Sequence, residues 1–277
     1  MTQREKGERF VKLHTTPGTW VIPNPWDAVS ARMLASIGYQ ALTTSSAAAA
    51  ATLGRRDGRL SREEALAHCR LVAEAVDLPV AGDLENGFGD APEVAAETIR
   101  LAAEAGLVGG SIEDATGRAD DPLYDIGLAK ERVAAAVEAA RALPFPFVVV
   151  GRAEGFIRGR PDLDDVIRRL QAYERAGADV LFAPGLPDLA AIRRVCASVS
   201  KPVNVMAAVP GKGFTVAELA DAGVKRISLA ASLYRTAMTA VRDAAREVHD
   251  GGTFGYLDRT ISSADLGGYL KESREVD

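Results

Sequence analysis

Only two cysteines are present, Cys69 and Cys196, and neither has a second thiol nearby in sequence. A disulfide framework and a cysteine-based zinc site are both excluded. The three histidines, His14, His68 and His249, fall in helical or N-terminal segments away from any strand end, and are read as surface or packing residues. No apolar run reaches the ~18 residues of a membrane span. The N-terminus, MTQREKGERFVKLH, is charged where a secretory signal needs an apolar centre. No run of Lys and Arg forms a basic patch, and the formal net charge is −5. Both features speak against nucleic acid or an anionic membrane surface as partner. No G-x-G-x-x-G follows an early strand, which disfavours an open, doubly wound dinucleotide-binding sheet. The expectation is a soluble, cytoplasmic protein whose partner is a small molecule.

What is present is a repeat. The chain has 277 residues, 47% hydrophobic and 26% charged, enough for a large core. A helical pattern closing on glycine, followed by a short apolar run, recurs in ASIGYQALTTSS, AEAGLVGGSIED, ERAGADVLFAPG and ADAGVKRISLAAS. The glycines (Gly38, Gly106, Gly177, Gly223) are placed to end a helix in the left-handed conformation. Uninterrupted apolar runs suit strands buried on both faces of a parallel sheet. Eight such runs are found, at 20–23, 41–45, 79–85, 109–113, 147–152, 180–183, 202–206 and 226–229. Amphipathic helices fall between them, as at 92–105. Alternating strands and helices in this number predict a closed (β/α)₈ barrel. No Pro/Gly/Ser-rich linker divides the chain, so residues 1–277 read as one domain. From about residue 233 a C-terminal helical extension goes beyond what barrel closure needs, and subunit packing is its expected use.

In such a barrel the active site lies at the C-terminal ends of the strands. The third run ends in Asp83-Leu-Glu85-Asn-Gly, with Asp83 and Glu85 at the same parity and expected to point into the mouth. The fourth ends in Glu113-Asp114 and the fifth in Arg152-Ala-Glu154. One acid at a strand end is commonly a helix cap. Acids on three successive strands predict a shared divalent cation, since unpaired they would repel one another. All-oxygen donors without His or Cys suit Mg²⁺. The second run ends in Thr43-Thr44-Ser45-Ser46-Ala47, whose small residues let backbone N–H groups approach an anion. Opposite Arg152, this describes a carboxylate or phosphonate pocket. Arg158 and Arg160, in the loop after the fifth run, either meet solvent or a substrate carboxylate.

These residues, with Asn24-Pro-Trp-Asp27, Leu53-Gly-Arg-Arg-Asp57, Asp83-Leu-Glu85-Asn-Gly-Phe-Gly89, Ile112-Glu113-Asp114 and Gly151-Arg152, resemble the isocitrate lyase/phosphoenolpyruvate mutase superfamily. The similarity runs from about residue 24 to 233. Within the superfamily it points to a branch without the cysteine loop, the carboxyvinyl-carboxyphosphonate phosphorylmutase-like proteins. The resemblance implies a (β/α)₈ barrel in a homotetramer, a dimer of dimers that exchanges its last helix between neighbours. It implies Mg²⁺, replaceable by Mn²⁺, held directly or through water by Asp57, Asp83, Glu85 and Glu113. It places the substrate's acidic end on Ser45, Ser46, Ala47 and Arg152, with Asn204 on the seventh strand also in the pocket. The shared chemistry is formation or capture of a pyruvate-like enolate, which a preplaced cation stabilises.

The sequence also departs from that pattern. Where the isocitrate and methylisocitrate lyases carry a Lys-Lys/Arg-Cys-Gly-His segment, this chain reads Asp114-Ala-Thr-Gly-Arg118-Ala-Asp120-Asp121-Pro-Leu-Tyr124-Asp125. The Lys-Thr-Asn-Ser-type loop of the phosphoenolpyruvate mutases is missing too. An isocitrate lyase of the cysteine-loop type is therefore not expected. Arg118, Asp120, Tyr124 or bound water is left as the source of an acid or base beside Arg152. The expected activity is a carbon–carbon lyase or decarboxylase acting on a small 2-oxo or 2-hydroxy (di)carboxylic acid. The alternatives are a phosphonopyruvate hydrolase or phosphonomutase, and a 2-oxo acid-binding protein with little catalysis.

Overall fold

The computed structural model describes residues 1–207, 211 and 213–270. Helix α1 (Gln3–Thr15) precedes the first strand. Thr2 starts it through a capping box with Glu5, each side chain bonding the other residue's N–H. The repeat then begins with β1 (Trp20–Ile22), α2 (Ala28–Ile37) and β2 (Leu42–Thr43). Two helices follow, α3 (Ser46–Thr52) and α4 (Arg62–Ala75), then β3 (Val80–Asp83), α5 (Pro92–Glu104) and β4 (Gly109–Glu113). The second half runs α6 (Ile126–Arg141), β5 (Val148–Arg152), α7 (Leu163–Arg175), β6 (Val180–Phe182) and α8 (Leu189–Ala197). It closes with β7 (Val203–Met206), α9 (Val216–Asp221) and β8 (Arg226–Ser228).

All eight strands are parallel, in the order β1-β8-β7-β6-β5-β4-β3-β2. The ring closes between its two ends where Thr43 N–H donates to the Pro23 carbonyl at 3.1 Å. This is the expected (β/α)₈ barrel. Asn24 reinforces the seam. Its Nδ2 donates to the Thr44 carbonyl at 2.8 Å and its Oδ1 accepts from Leu229 N–H at 3.1 Å, tying the ends of β2 and β8 together.

The repeating glycines act as read from the sequence. Gly38 ends α2 at φ 103°, and Gly106, Gly177 and Gly223 are likewise left-handed. Helix α1, which the strand count does not reveal, seals the N-terminal end of the barrel. Phe10 is fully buried there, and the space it takes is left by Gly109, where a Cβ would stand 2.7 Å from the Phe10 ring.

Several strands are shorter than their apolar runs. β2 stops at Thr43 because Ser45 is already the N-cap of α3, accepting from Ala48 N–H. β3 stops at Asp83, and Glu85 lies beyond it at φ 47°. Strict alternation therefore does not extend from Asp83 to Glu85, contrary to the sequence reading. The tail forms α10 (Ser232–Arg246), a π-helical turn, a short 3-10 helix and α11 (Ser263–Gly267). No residue of α10 is buried. Among the described residues, no helix is long and apolar enough to cross a membrane.

Candidate active site

A cavity of about 330 Å³ opens at the C-terminal ends of the strands. Its wall includes Ser45, Ser46, Ala47, Asp57, Asp83, Arg152 and Asn204, seven of the residues singled out from sequence. The cluster is organised by arginine. Arg152 Nη1 lies 3.4 Å from Asp83 and 3.3 Å from Glu113, and its Nε donates to Glu154. Arg158 reaches the same two glutamates from above, 3.1 Å from Glu113 and 3.0 Å from Glu154. The Arg152 guanidinium also lies over the Phe182 ring, 5.0 Å from its centroid.

The carboxylates outnumber these cations. Burial, reinforced by Asp83 and Asp57, pushes Glu85 up to about 7. Burial and then Glu154 push Glu113 well above the usual carboxylate range, against the pull of Arg152. Glu154 is also raised, chiefly by burial. Glu85 Oε1 is buried and accepts no hydrogen bond from the described residues. Such a group costs stability until a donor or cation meets it. The exposed loop carrying Asp57 covers this side, since a Cβ on Gly58 would stand 3.8 Å from Glu85 Oε2.

Asp57, Asp83, Glu85 and Glu113 are not drawn together around one point in this structure. Among the described residues, no three acidic, His or Cys side chains are grouped closely enough to hold one ion as they stand. The physical reason is Arg152, whose Nη1 bridges Asp83 and Glu113. Asp114, next to Glu113 on the chain, does not join the cluster. It is buried against α7, paired with Arg169 at 3.1 Å, Tyr173 Oη at 2.6 Å and Glu154 N–H at 2.8 Å. Ser46 presents no free donors, because both its N–H (3.1 Å) and Oγ (3.0 Å) bond Asp83 Oδ2.

The loop residues Arg118, Asp120 and Tyr124 do not line the cavity. Residues 115–123 fold into a small hairpin through an antiparallel bridge between Ala115 and Leu123. Tyr124 is buried, donates its hydroxyl to Asp90 and accepts from Asn86 at 3.2 Å, while Arg132 stacks on its ring at 4.3 Å. Burial holds its phenol up at about 12, unsuited to proton transfer near neutrality. Arg118 pairs with Asp90 and Asp121, and Asp120 is exposed. The structure thus places Tyr124 as an anchor of the loop, not as a group facing the cavity.

The thiols sit as expected, in α4 and α8, with burial pushing Cys69 up to about 12 and Cys196 to about 11. Arg160 is exposed. Two residues went unread in the sequence. Arg226, the first residue of β8, lines the cavity and donates from Nε to Asn204 Oδ1 at 2.8 Å, and Ser228 stands beside it, accepting from Asn204 Nδ2 at 3.1 Å. The signal was a lone charge in the apolar run RISL, at the parity that faces the barrel.

The sequence model described as phosphoenolpyruvate phosphomutase matches residues 10–249. The chain belongs to that family. Of the solved structures similar to this member of the phosphoenolpyruvate phosphomutase family, one is a candidate lyase/mutase of Burkholderia cenocepacia J2315. It is 51% identical with a TM-score of 0.94, and 96% of each chain is covered. A candidate phosphonomutase of the same organism is 38% identical with a TM-score of 0.81, over 90% of this chain and 99% of that one. The oxaloacetate decarboxylase of Bradyrhizobium diazoefficiens is 31% identical over 73% of this chain and 71% of its own. Relatives of this chain are named as lyases and mutases, and the chain is an enzyme.

Proposed function

We propose that this enzyme is a Mg²⁺-dependent carbon–carbon lyase or decarboxylase acting on a small 2-oxo or 2-hydroxy dicarboxylic acid. The observation that carries the reading is the buried Glu85 Oε1, without a hydrogen-bond partner among the described residues, in a cluster of Asp83, Glu85, Glu113, Glu154 and Asp57 around Arg152 and Arg158. The donor set is all oxygen and its charge is in excess, which fits a hard cation. Asp57, Asp83, Glu85 and Glu113 are the residues that would hold it, with water completing the coordination. Mn²⁺ is the expected substitute. When bound, Mg²⁺ supplies electrophilic stabilisation of charge developing on a carbonyl oxygen.

The chain's own residues do the rest. Arg152 lines the cavity, and its second amino group, Nη2, has no hydrogen-bond partner among the described residues. It would hold the substrate's acidic end by a charge-assisted bond. Ser46 orients Asp83 through two bonds. Phe182 and Ile157 give the wall an apolar side that strengthens these interactions by excluding water.

Oxalate, which mimics a planar pyruvate enolate, is the probe. Calorimetry should show oxalate binding that requires Mg²⁺ or Mn²⁺, and Asp83→Ala should abolish it while leaving the circular dichroism unchanged. Metal-independent oxalate binding, or an Asp83→Ala protein that still binds metal, would overturn the assignment. The similarity to a candidate phosphonomutase supports a second reading, chemistry at a C–P bond. Turnover of phosphonopyruvate in preference to oxaloacetate and substituted malates, in one panel, would select it.

A further inference from the structure

At the closed end of the cavity lies a cation set among neutral groups. Arg226 is only 5% exposed, yet among the described residues no acidic side chain pairs with it. Its Nε bonds the neutral Asn204 amide, and its Nη1 lies 3.2 Å from His14 Nε2. His14 Nδ1 is 2.8 Å from the Phe10 carbonyl, so Nδ1 carries the proton and Nε2 accepts from Arg226. That imidazole is neutral as well, since burial and then Arg226 hold it down at about 3. The remaining amino group, Nη2, has no partner among the described residues. Burying a charge among neutral partners is costly even after relaxation. An apolar residue of similar volume would fill the same space without that cost.

The register says where this charge points. Arg152, Phe182, Asn204 and Arg226 are successive Cα partners across β5, β6, β7 and β8. Arg152 is the last residue of β5, whereas Arg226 is the first of β8, against the α1 seal. Three strands apart in a ring of eight, they stand on nearly opposite walls, one at the mouth and one at the floor of the same cavity. We infer that Arg226 is a specificity-determining residue, binding the distal acidic group of a dianionic substrate whose reacting end lies at Arg152. The inference rests on the cavity being the substrate site proposed above, and it assigns the residue that reads the second acidic group of the diacid.

The test uses the full chain without added metal, titrated by calorimetry with malonate, succinate and glutarate, each against the monoacid of equal carbon number. The wild type should prefer at least one diacid roughly tenfold or more, the increment of about one charge-assisted contact. Arg226→Met should bring that ratio close to unity while leaving monoacid affinity unchanged, and Arg226→Lys should keep part of it. Should Arg226→Met fail to fold, the guanidinium NMR signals of Arg226 in the wild type, assigned through Arg226→Lys, should move with the diacid and not the monoacid. An unchanged ratio in Arg226→Met, no diacid preference in the wild type, or unmoved guanidinium signals would each overturn it. Failure of the metal reading shows separately, as loss of the metal dependence of oxalate binding with the diacid preference intact.

Discussion

Arg152 holds together a cluster that would otherwise repel itself. Glu113 is 6% exposed and Glu154 fully buried, and both lean on its guanidinium. Removing one partner of a buried ion pair leaves the other charged and unpaired, at a cost of about 3–5 kcal/mol. Arg152→Met should lose stability of that order in urea denaturation, and saturating Mg²⁺ should recover part of it by neutralising the same acids. A loss below about 1 kcal/mol, the value of an exposed pair, would mean that Arg158 alone neutralises them. The residues visible in the sequence were those closing apolar strands: Asp83, Glu113 and Arg152. Asp114 could have been set aside by the same reasoning, because consecutive residues face opposite sides of a strand and Glu113 already faced in. The bonds of Ser46 to Asp83 and of Arg158 to two glutamates depend on loop paths that no spacing rule describes.

At the scale of elements, the repeat was legible because four helices close on a left-handed glycine (Gly38, Gly106, Gly177 and Gly223) and short, largely apolar runs follow them. Helix α1 was not, because it precedes the first strand and its polar sequence shows only Phe10, Val11 and Leu13 as apolar anchors. Its role is read from His14, which is 6% exposed and faces Arg226 and Lys225, both cationic. The imidazole therefore stays neutral in the fold down to about 3, while in the unfolded chain it takes a proton near 6.5. Between those values the unfolded state binds the extra proton, so stability is complete above 6.5 and is lost as pH falls toward 3. The slope from one such group is at most about 1.4 kcal/mol per pH unit. His14→Gln keeps an acceptor for Arg226 and cannot titrate. Its melting temperature should fall less steeply than that of the wild type over this window. Parallel curves for the two proteins would show that His14 does not set the acid limb.

At the scale of the whole molecule, α10 and the residues after it carry an apolar surface that the barrel does not use. Along α10, Tyr234, Met238 and Val241 recur at helical spacing, and Met238 and Val241 are 42% and 60% exposed. Phe254 and Leu257 add exposed apolar area beyond the helix. Apolar patches of this kind mark association surfaces, in keeping with the homotetramer proposed from the family resemblance. The helix also touches the cavity. Ser232 and Arg235 line its mouth, and Tyr234 packs edge-on against Trp26 with ring centroids 5.6 Å apart. Covering the outer face would therefore steady the inner one, linking assembly to ligand binding. Light scattering on the eluting protein should give a multiple of the 29.2 kDa chain mass, four by the proposal. Met238→Glu with Val241→Glu, which leaves every cavity residue in place, should reduce the assembly and weaken oxalate binding severalfold with the fold retained. A wild type that elutes as a monomer, or a dissociated double variant with unaltered oxalate affinity, would separate the helix from the site it borders.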